Sequence, residues 1–551
     1  MSLRALILSL SCCFLLLFAV ALAESAPRPM LERTPIRPPL QNTAMRRPLT
    51  RLVAALSLAA AAAGAQAPAP PIPAAEYAAR RDSLLARVDS GVIVAFGAVD
   101  PVDYYPPFSQ LPSFEYLTGF HEPDAVLVLV KRGGARSATL FVPPRNARAE
   151  LYLGPRADPA SLPARTGLAG RLTAQLRPAV DSLLAAGLPL YVVRDVRSLD
   201  AARRDTLTPG AAFVAALRQA RPSLAVTALD TAVNRLRARK SAAELALVRR
   251  AAEISTAGHR EAMRAVAPGC NEGEIQAVLD GTFRRLGGER PSYASIVGSG
   301  PNATVLHYDA NNRVMQAGDL LVIDAATAFG HYAADVTRTM PVGGRFTPEQ
   351  RAVYQIVRDA QEAYARQLGP GATRAGADSA GRAVVAAGLA RLGLIEAADA
   401  TFDGSLACAS ADTAGGAGCL RVPQVALYAW HGFGGHGLGL EVHDPAQYYA
   451  PPAVFRPGDV FTVEPGVYVN PAVLANLPDT PRNRALRARL APVMARYREV
   501  GVRIEDDYLV TERGAEWLTP GVPREADEVE ALMRQGPPAL PGGGSCGRPR
   551  A

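Results

Sequence analysis

The sequence predicts an α/β domain followed by an α+β domain in which the chemistry is concentrated. Three observations carry this. A chain of 551 residues is long enough for two or three domains with a well-buried core. Residues 75 to about 237 alternate helix-like and strand-like runs and hold no catalytic motif. From Lys240 onward, helical periods give way to short strands and glycine-rich loops that carry acids and histidines.

Taken in order, Glu76 to Val88 reads as an amphipathic helix and Gly91 to Gly97 as a buried strand. Ala125 to Lys131 and Ser137 to Val142 are β-rich runs split by Gly133-Gly134, which predicts a hairpin turn. Leu190 to Val193 is a further short strand. Ser241 with Glu244 forms a capping box, opening a helix to about Val266 that stops at Pro268-Gly269. Asn271 to Leu286 is a second helix, ending at Gly287-Gly288, and 350–366 and 377–393 are two more. The predicted division is a targeting region 1–67, a first domain 68–238, a catalytic domain 239–536 and a disordered tail 537–551.

Hydrophobic content of 49% with 20% charged residues is ordinary for a soluble globular chain. The net charge of +8 is carried by arginine, Lys131 and Lys240 being the only lysines. These cations are dispersed among acids, with no basic stripe interleaved with aromatics, so nucleic acid is not an expected partner. Met1 to Ala23 and Met45 to Ala67 each show a basic start, an apolar run and a small-residue exit. Met45 is read as the start, the protein as exported to the periplasm or the medium, and no membrane anchor is expected after signal removal. An oxidising compartment would let Cys408 and Cys419 pair across the small-residue loop between them. Cys12 and Cys13 fall in the first apolar run, while Cys270 and Cys546 read as unpaired.

The chemistry begins with Asp324 and Asp335, set in apolar, β-branched runs on either side of Phe329-Gly330. A hairpin centred on Phe329-Gly330 would place the two aspartates directly across the ladder, with Cβ atoms about 4.5–5.5 Å apart. Two buried carboxylates that close repel and desolvate one another unless a cation neutralises them. Three of the seven histidines, His431, His436 and His443, fall in one stretch interleaved with five glycines. Dense glycine allows close backbone approach, and imidazole suits a divalent transition metal. Glu464 in Phe461-Thr-Val-Glu464-Pro-Gly and Glu505 in Val502-Arg-Ile-Glu505-Asp-Asp are charged residues inside apolar strand-like runs. Either glutamate alone could sit in a buried salt bridge with Arg503, but that pairing does not account for all five positions. Four carboxylates and one imidazole exceed a structural zinc and suit a pair of hard divalent ions.

The segments Asp319–Pro341, Gly434–Asp444, Thr462–Tyr468 and Arg503–Asp507 resemble the pita-bread metallopeptidases, which include methionine aminopeptidase, prolidase, aminopeptidase P and creatinase. Aminopeptidase P is the member resembled most, through Phe114-Glu-Tyr-Leu-Thr-Gly-Phe-His-Glu-Pro-Asp-Ala125 and Ser292-Tyr-Ala-Ser-Ile-Val-Gly-Ser-Gly300. His307-Tyr308, Asp335-Val-Thr-Arg-Thr339 and Val510-Thr-Glu-Arg-Gly514 agree, and the similarity spans roughly residues 76–534.

The resemblance implies an N-terminal domain of the creatinase/aminopeptidase P kind before a pita-bread catalytic domain. It implies two divalent ions, usually Mn2+, with Co2+ or Zn2+ as alternatives. Asp324 would bind one ion, His436 and Glu464 the other, and Asp335 and Glu505 would bridge. Glu464 would also shuttle the proton, His307 and His443 would orient substrate, Arg503 would order the acids, and Tyr468 and His431 would contact substrate. The implied reaction releases the first residue from peptides with proline second. Prolidase activity and a catalytically inactive peptide-binding relative are the alternatives. Two departures stand out. His431 lies one residue further from His436 than the family spacing, and the Cys408–Cys419 region resembles an insertion. Tyr152 matches a family aromatic that reaches a neighbouring subunit, which implies a homo-oligomer, dimer or tetramer.

Overall fold

A computed structural model describes residues 72–101, 108–194, 208–409, 418–429, 433–445 and 454–536. The two signal-like segments, Cys12, Cys13, His431, Cys546 and the 537–551 tail lie outside the described residues.

The first domain is a six-stranded mixed sheet. Its strands are β1 (Gly91–Phe96), β2 (Val126–Arg132), β3 (Ala135–Val142), β4 (Ala169–Leu172), β5 (Leu190–Val193) and β6 (Val226–Ala228), in the order β4-β3-β2-β1-β5-β6. β1 is central, antiparallel to β2 and parallel to β5. It is apolar throughout because both faces are covered: Val92 and Val94 join one cluster with Phe141 and Val180, while Ile93 and Ala95 join another with Leu84 and Phe114. β2 and β3 form a hairpin turning at Gly133-Gly134, with Gly133 at φ 57°. The helix Ala74–Leu85 ends slightly before the predicted Val88.

The second domain repeats one order of elements, a packed helix pair followed by strands. Helices Ala242–Ala265 and Glu272–Arg285 form the first pair, Pro348–Ala365 and Arg374–Arg391 the second. Ser241 caps its helix as predicted: its hydroxyl accepts the Glu244 N–H at 3.2 Å, and the Glu244 carboxylate accepts the Ser241 N–H at 2.8 Å. The strands after the first pair are β7 (Arg290–Pro291), β8 (Ile296–Ser299), β9 (Leu320–Asp324), β10 (Thr327–Phe329), β11 (Tyr332–Ala333) and β12 (Thr337–Pro341). Those after the second are β13 (Thr401–Asp403), β14 (Arg421–Pro423), β15 (Gly434–Gly437), β16 (Val460–Val463), β17 (Gly466–Tyr468), β18 (Gly501–Arg503), β19 (Asp506–Thr511) and β20 (Gly514–Trp517). They form the sheets β11-β10-β7, β12-β9-β8, β13-β14, β15-β16-β19-β20 and β17-β18, with a bridge between Thr337 of β12 and Glu505, just before β19.

One expectation is corrected. The hairpin after β9 turns at Gly330-His331, so Phe329 pairs with Tyr332 and Asp324 pairs with Thr337, not with Asp335. Both turn residues have positive φ, 55° and 71°, as a two-residue type I′ turn requires. The register moves by two residues, which preserves facing, so Asp335 becomes a diagonal neighbour of Asp324. Cys408 and Cys419 are joined as a disulfide, and Cys270 is a buried free thiol. Among the described residues no helix is long and apolar enough to cross a membrane.

Candidate metal centre

The five predicted donors arrive from five chain segments, each where a ladder ends or breaks. Asp324 closes β9, Asp335 lies between β11 and β12, Glu464 follows β16 and Glu505 lies between β18 and β19. His436 sits in β15, where the register against β16 shifts between Gly434 and Gly437. Such breaks re-aim side chains that a regular pleat would turn away. Close approach also needs glycine at 435, because a Cβ there would lie 1.8 Å from Glu464 Oε1.

One donor atom each of Asp335, His436 and Glu505 lies within 4.8 Å of the others, all three residues being buried. His436 Nε2 is 3.4 Å from Asp335 Oδ2 and 3.6 Å from Glu464 Oε1. These gaps are long for hydrogen bonds. They are close to the roughly 3 Å that separates adjacent donors placed about 2.1 Å from one octahedral ion. Among the described residues, Arg503 is the cation that meets this cluster directly. Its Nη2 pairs with Asp324 Oδ2, its Nε donates to Thr337 Oγ1 at 3.1 Å and its Nη1 donates to the buried Tyr468 hydroxyl at 2.7 Å. Thr337 passes the link on, donating to Glu505 Oε2 at 2.6 Å.

One guanidinium does not balance four carboxylates. Burial, then repulsion from Asp324 and Glu464, holds the Asp335 carboxyl well above the usual carboxylate range. Burial, then Asp335, does the same to Glu505. The Tyr293 hydroxyl lies 2.5 Å from both Asp324 Oδ1 and Asp335 Oδ1, yet it has one proton to donate. The remaining negative charge calls for protons or cations, and the oxygen-rich donor set with one imidazole fits hard divalent ions.

Behind the donors, Arg338 and Asp506 form a fully buried pair at 2.7 Å, and Asp507 Oδ2 accepts the Asp335 N–H at 3.1 Å. Thr462 accepts the His436 N–H at 3.1 Å and donates to Glu464 Oε1 at 3.0 Å. His443 and His307 are exposed at the solvent side, the His443 ring standing edge-on to His436 at 4.1 Å. Packing around the His443 ring, then repulsion from His436 and His307, lowers its pKa.

Tyr293, Thr337 and Thr462 were not singled out from the sequence. The threonines had a readable signal, each lying two residues from a ligand in a strand-like run. Nothing local marked Tyr293. Cavity size did not locate the chemistry either, since a cavity of about 1030 Å³ beside Arg80, Arg235 and Arg456 contains none of the five donors.

Residues 246–512 match Metallopeptidase family M24, and residues 77–186 match Aminopeptidase P, N-terminal domain. A Xaa-Pro aminopeptidase of Escherichia coli K12 is 33% identical over 478 residues, covering 83% of this chain and 97% of that protein. The chain belongs to metallopeptidase family M24. Its architecture is the aminopeptidase P N-terminal domain followed by the pita-bread domain. As an M24 enzyme it is a hydrolase of the aminopeptidase class that uses divalent metal. Among solved M24 structures, proline aminopeptidase P II of Yersinia pestis superposes with a TM-score of 0.68 at 30% identity, covering 84% of this chain and 100% of its own. Zinc-substituted E. coli aminopeptidase P in complex with product gives 0.68 at 29% identity, covering 85% of this chain and 99% of its own.

Proposed function

We propose that this M24 enzyme releases the N-terminal residue from peptides whose second residue is proline, with Asp324, Asp335, His436, Glu464 and Glu505 holding two divalent ions, Mn2+ foremost. The observation that carries the reading is the convergence of these donors with too few cations to balance them. Xaa-Pro aminopeptidases among the relatives supply the substrate class. Bound divalent ions supply Lewis acidity toward the scissile carbonyl and the attacking water.

The side chains do the rest. Glu464, partly exposed and held by the Thr462 hydroxyl, takes the proton from the nucleophile and delivers it to the leaving proline nitrogen. Asp335 and Glu505 would help hold both ions, and Asp324 is fixed in orientation by Arg503 and Tyr293. His307 and His443, at the solvent side, hold the peptide and meet charge developing on the carbonyl oxygen. Tyr468, with its hydroxyl bound by Arg503, walls the site.

Export follows from the two signal-like segments, and a dimer or tetramer from the helix Ala147–Leu153. There Leu151 is 85% and Tyr152 73% exposed, an apolar tip suited to a second copy.

The test is a peptide pair. Xaa-Pro-Yaa tripeptides should be cut between the first two residues and Xaa-Pro dipeptides left intact. The opposite pattern would make the protein a prolidase, and no turnover with metal bound would make it an inactive binder.

A further inference from the structure

A second group of metal-binding side chains lies away from the acid cluster, where the two domains meet. Glu115 and His121 come from the first domain, on and just after the helix Pro112–Thr118. His331 comes from the second, at the tip of the β10–β11 turn. One donor atom of each lies within 4.8 Å of the others. Two ligands of a shared zinc, each about 2.1 Å from it, span at most roughly 4 Å, so closure asks the donor atoms to draw together and the His331 ring to turn out of its stack on His121.

The local geometry is that of a ligand set. Glu115 is buried, and its Oε1 is 2.9 Å from His121 Nε2. The rings of His121 and His331 stack with centroids 3.7 Å apart and planes 17° apart. Stacked imidazoles cannot both carry a proton cheaply, and because ring lone pairs lie in the ring plane, the pair shares one cation once one ring turns to aim its nitrogen at it. Glu289 stands behind: its carboxylate accepts the N–H groups of Gly330 at 2.9 Å and His331 at 3.0 Å, and its Oε2 is 3.4 Å from His331 Nδ1. With a modest turn of the ring, the Glu289 carboxylate could accept from His331 Nδ1 and leave Nε2 as the donor, the arrangement that zinc-binding histidines commonly have. A cavity of about 490 Å³ lined by Tyr77, Arg165, Glu289 and both histidines gives an ion access.

We propose that Glu115, His121 and His331 form a zinc site joining the two domains, with water as fourth ligand and Glu289 orienting His331. Two imidazoles and one carboxylate match borderline zinc better than the harder ions suited to the acid cluster. Zinc on His121 Nε2 would take the place of the Nε2–Glu115 Oε1 hydrogen bond, with the proton of the neutral ring moving to Nδ1.

The test counts metal in the full chain. Wild type, His121→Gln, His331→Asn and His436→Ala are stripped, dialysed against buffered Zn2+ and analysed by elemental mass spectrometry. Asn tolerates the positive φ at 331. We expect His121→Gln and His331→Asn each to bind one zinc fewer per chain than wild type while keeping wild-type peptidase activity. A His436→Ala background should still lose one further zinc when His121→Gln is added. Wild-type zinc content in His121→Gln overturns the proposal, and that variant decides alone if His331→Asn does not fold.

Discussion

Strands β1–β6 and the strands that end at the metal centre handle burial in opposite ways. No residue of β1–β6 is acidic, and β1 buries Val92, Ile93, Val94 and Ala95 between two apolar clusters. The second domain instead buries Asp324, Asp335, Glu505, Asp506 and Asp507, none of them more than 8% exposed. Hydrocarbon in the first sheet stabilises the fold whatever is bound. Carboxylates in the second are costly until neutralised. The first-domain sheet is therefore a scaffold, and the strand ends of the second domain form a binding site whose stability depends on its ligand.

Four substitutions sharpen or break that contrast. The largest effect is expected from Glu464→Gln, which should lower kcat on Xaa-Pro-Yaa peptides by about 10²–10⁴ with little change in unfolding midpoint; steady-state kinetics beside thermal melts would check it. Ile93→Ala should do the reverse, destabilising by about 2–5 kcal/mol in denaturant titrations while kcat on the folded fraction holds. Loss of kcat with unchanged stability there would erase the distinction between scaffold and site. Tyr293→Phe, which removes the hydroxyl shared by Asp324 and Asp335, should weaken metal binding about 10–100-fold, read by competition with a chelating dye.

The smallest effect is pH-dependent. His259 is fully buried, 2.7 Å from the Ala325 carbonyl, and burial lowers its pKa to about 4. Its folded value lies below the unfolded one, so the neutral ring contributes fully above about pH 6.5 and loses that contribution as pH falls toward 4. Wild type minus His259→Gln should shift by about 2 kcal/mol between pH 7.5 and pH 5 in denaturant titrations. A pH-independent difference would show that His259 is not held neutral.

Much of this was legible in the chain itself. Capping at Ser241, the Gly133-Gly134 hairpin and the strand Leu190–Val193 rest on local rules, and the structure follows them. The five donors were legible because a charged residue in an apolar strand needs a partner. Placing the β10–β11 turn failed by one residue because a type I′ turn puts two residues at positive φ, and His331 gave no glycine-like signal. Tyr293 was beyond reach because its role depends on β8, β9 and β12 assembling first. The histidine pair at the domain seam was invisible for the same reason: His121 and His331 are 210 positions apart in sequence.

The most direct test of the two-ion centre compares stripped wild type with an Asp335→Asn, Glu505→Gln double variant after dialysis against Mn2+. Wild type should hold two more ions per chain, and it alone should release the first residue from an Xaa-Pro-Yaa tripeptide. Equal metal content in the two proteins, or turnover by wild type kept in excess chelator, would contradict it.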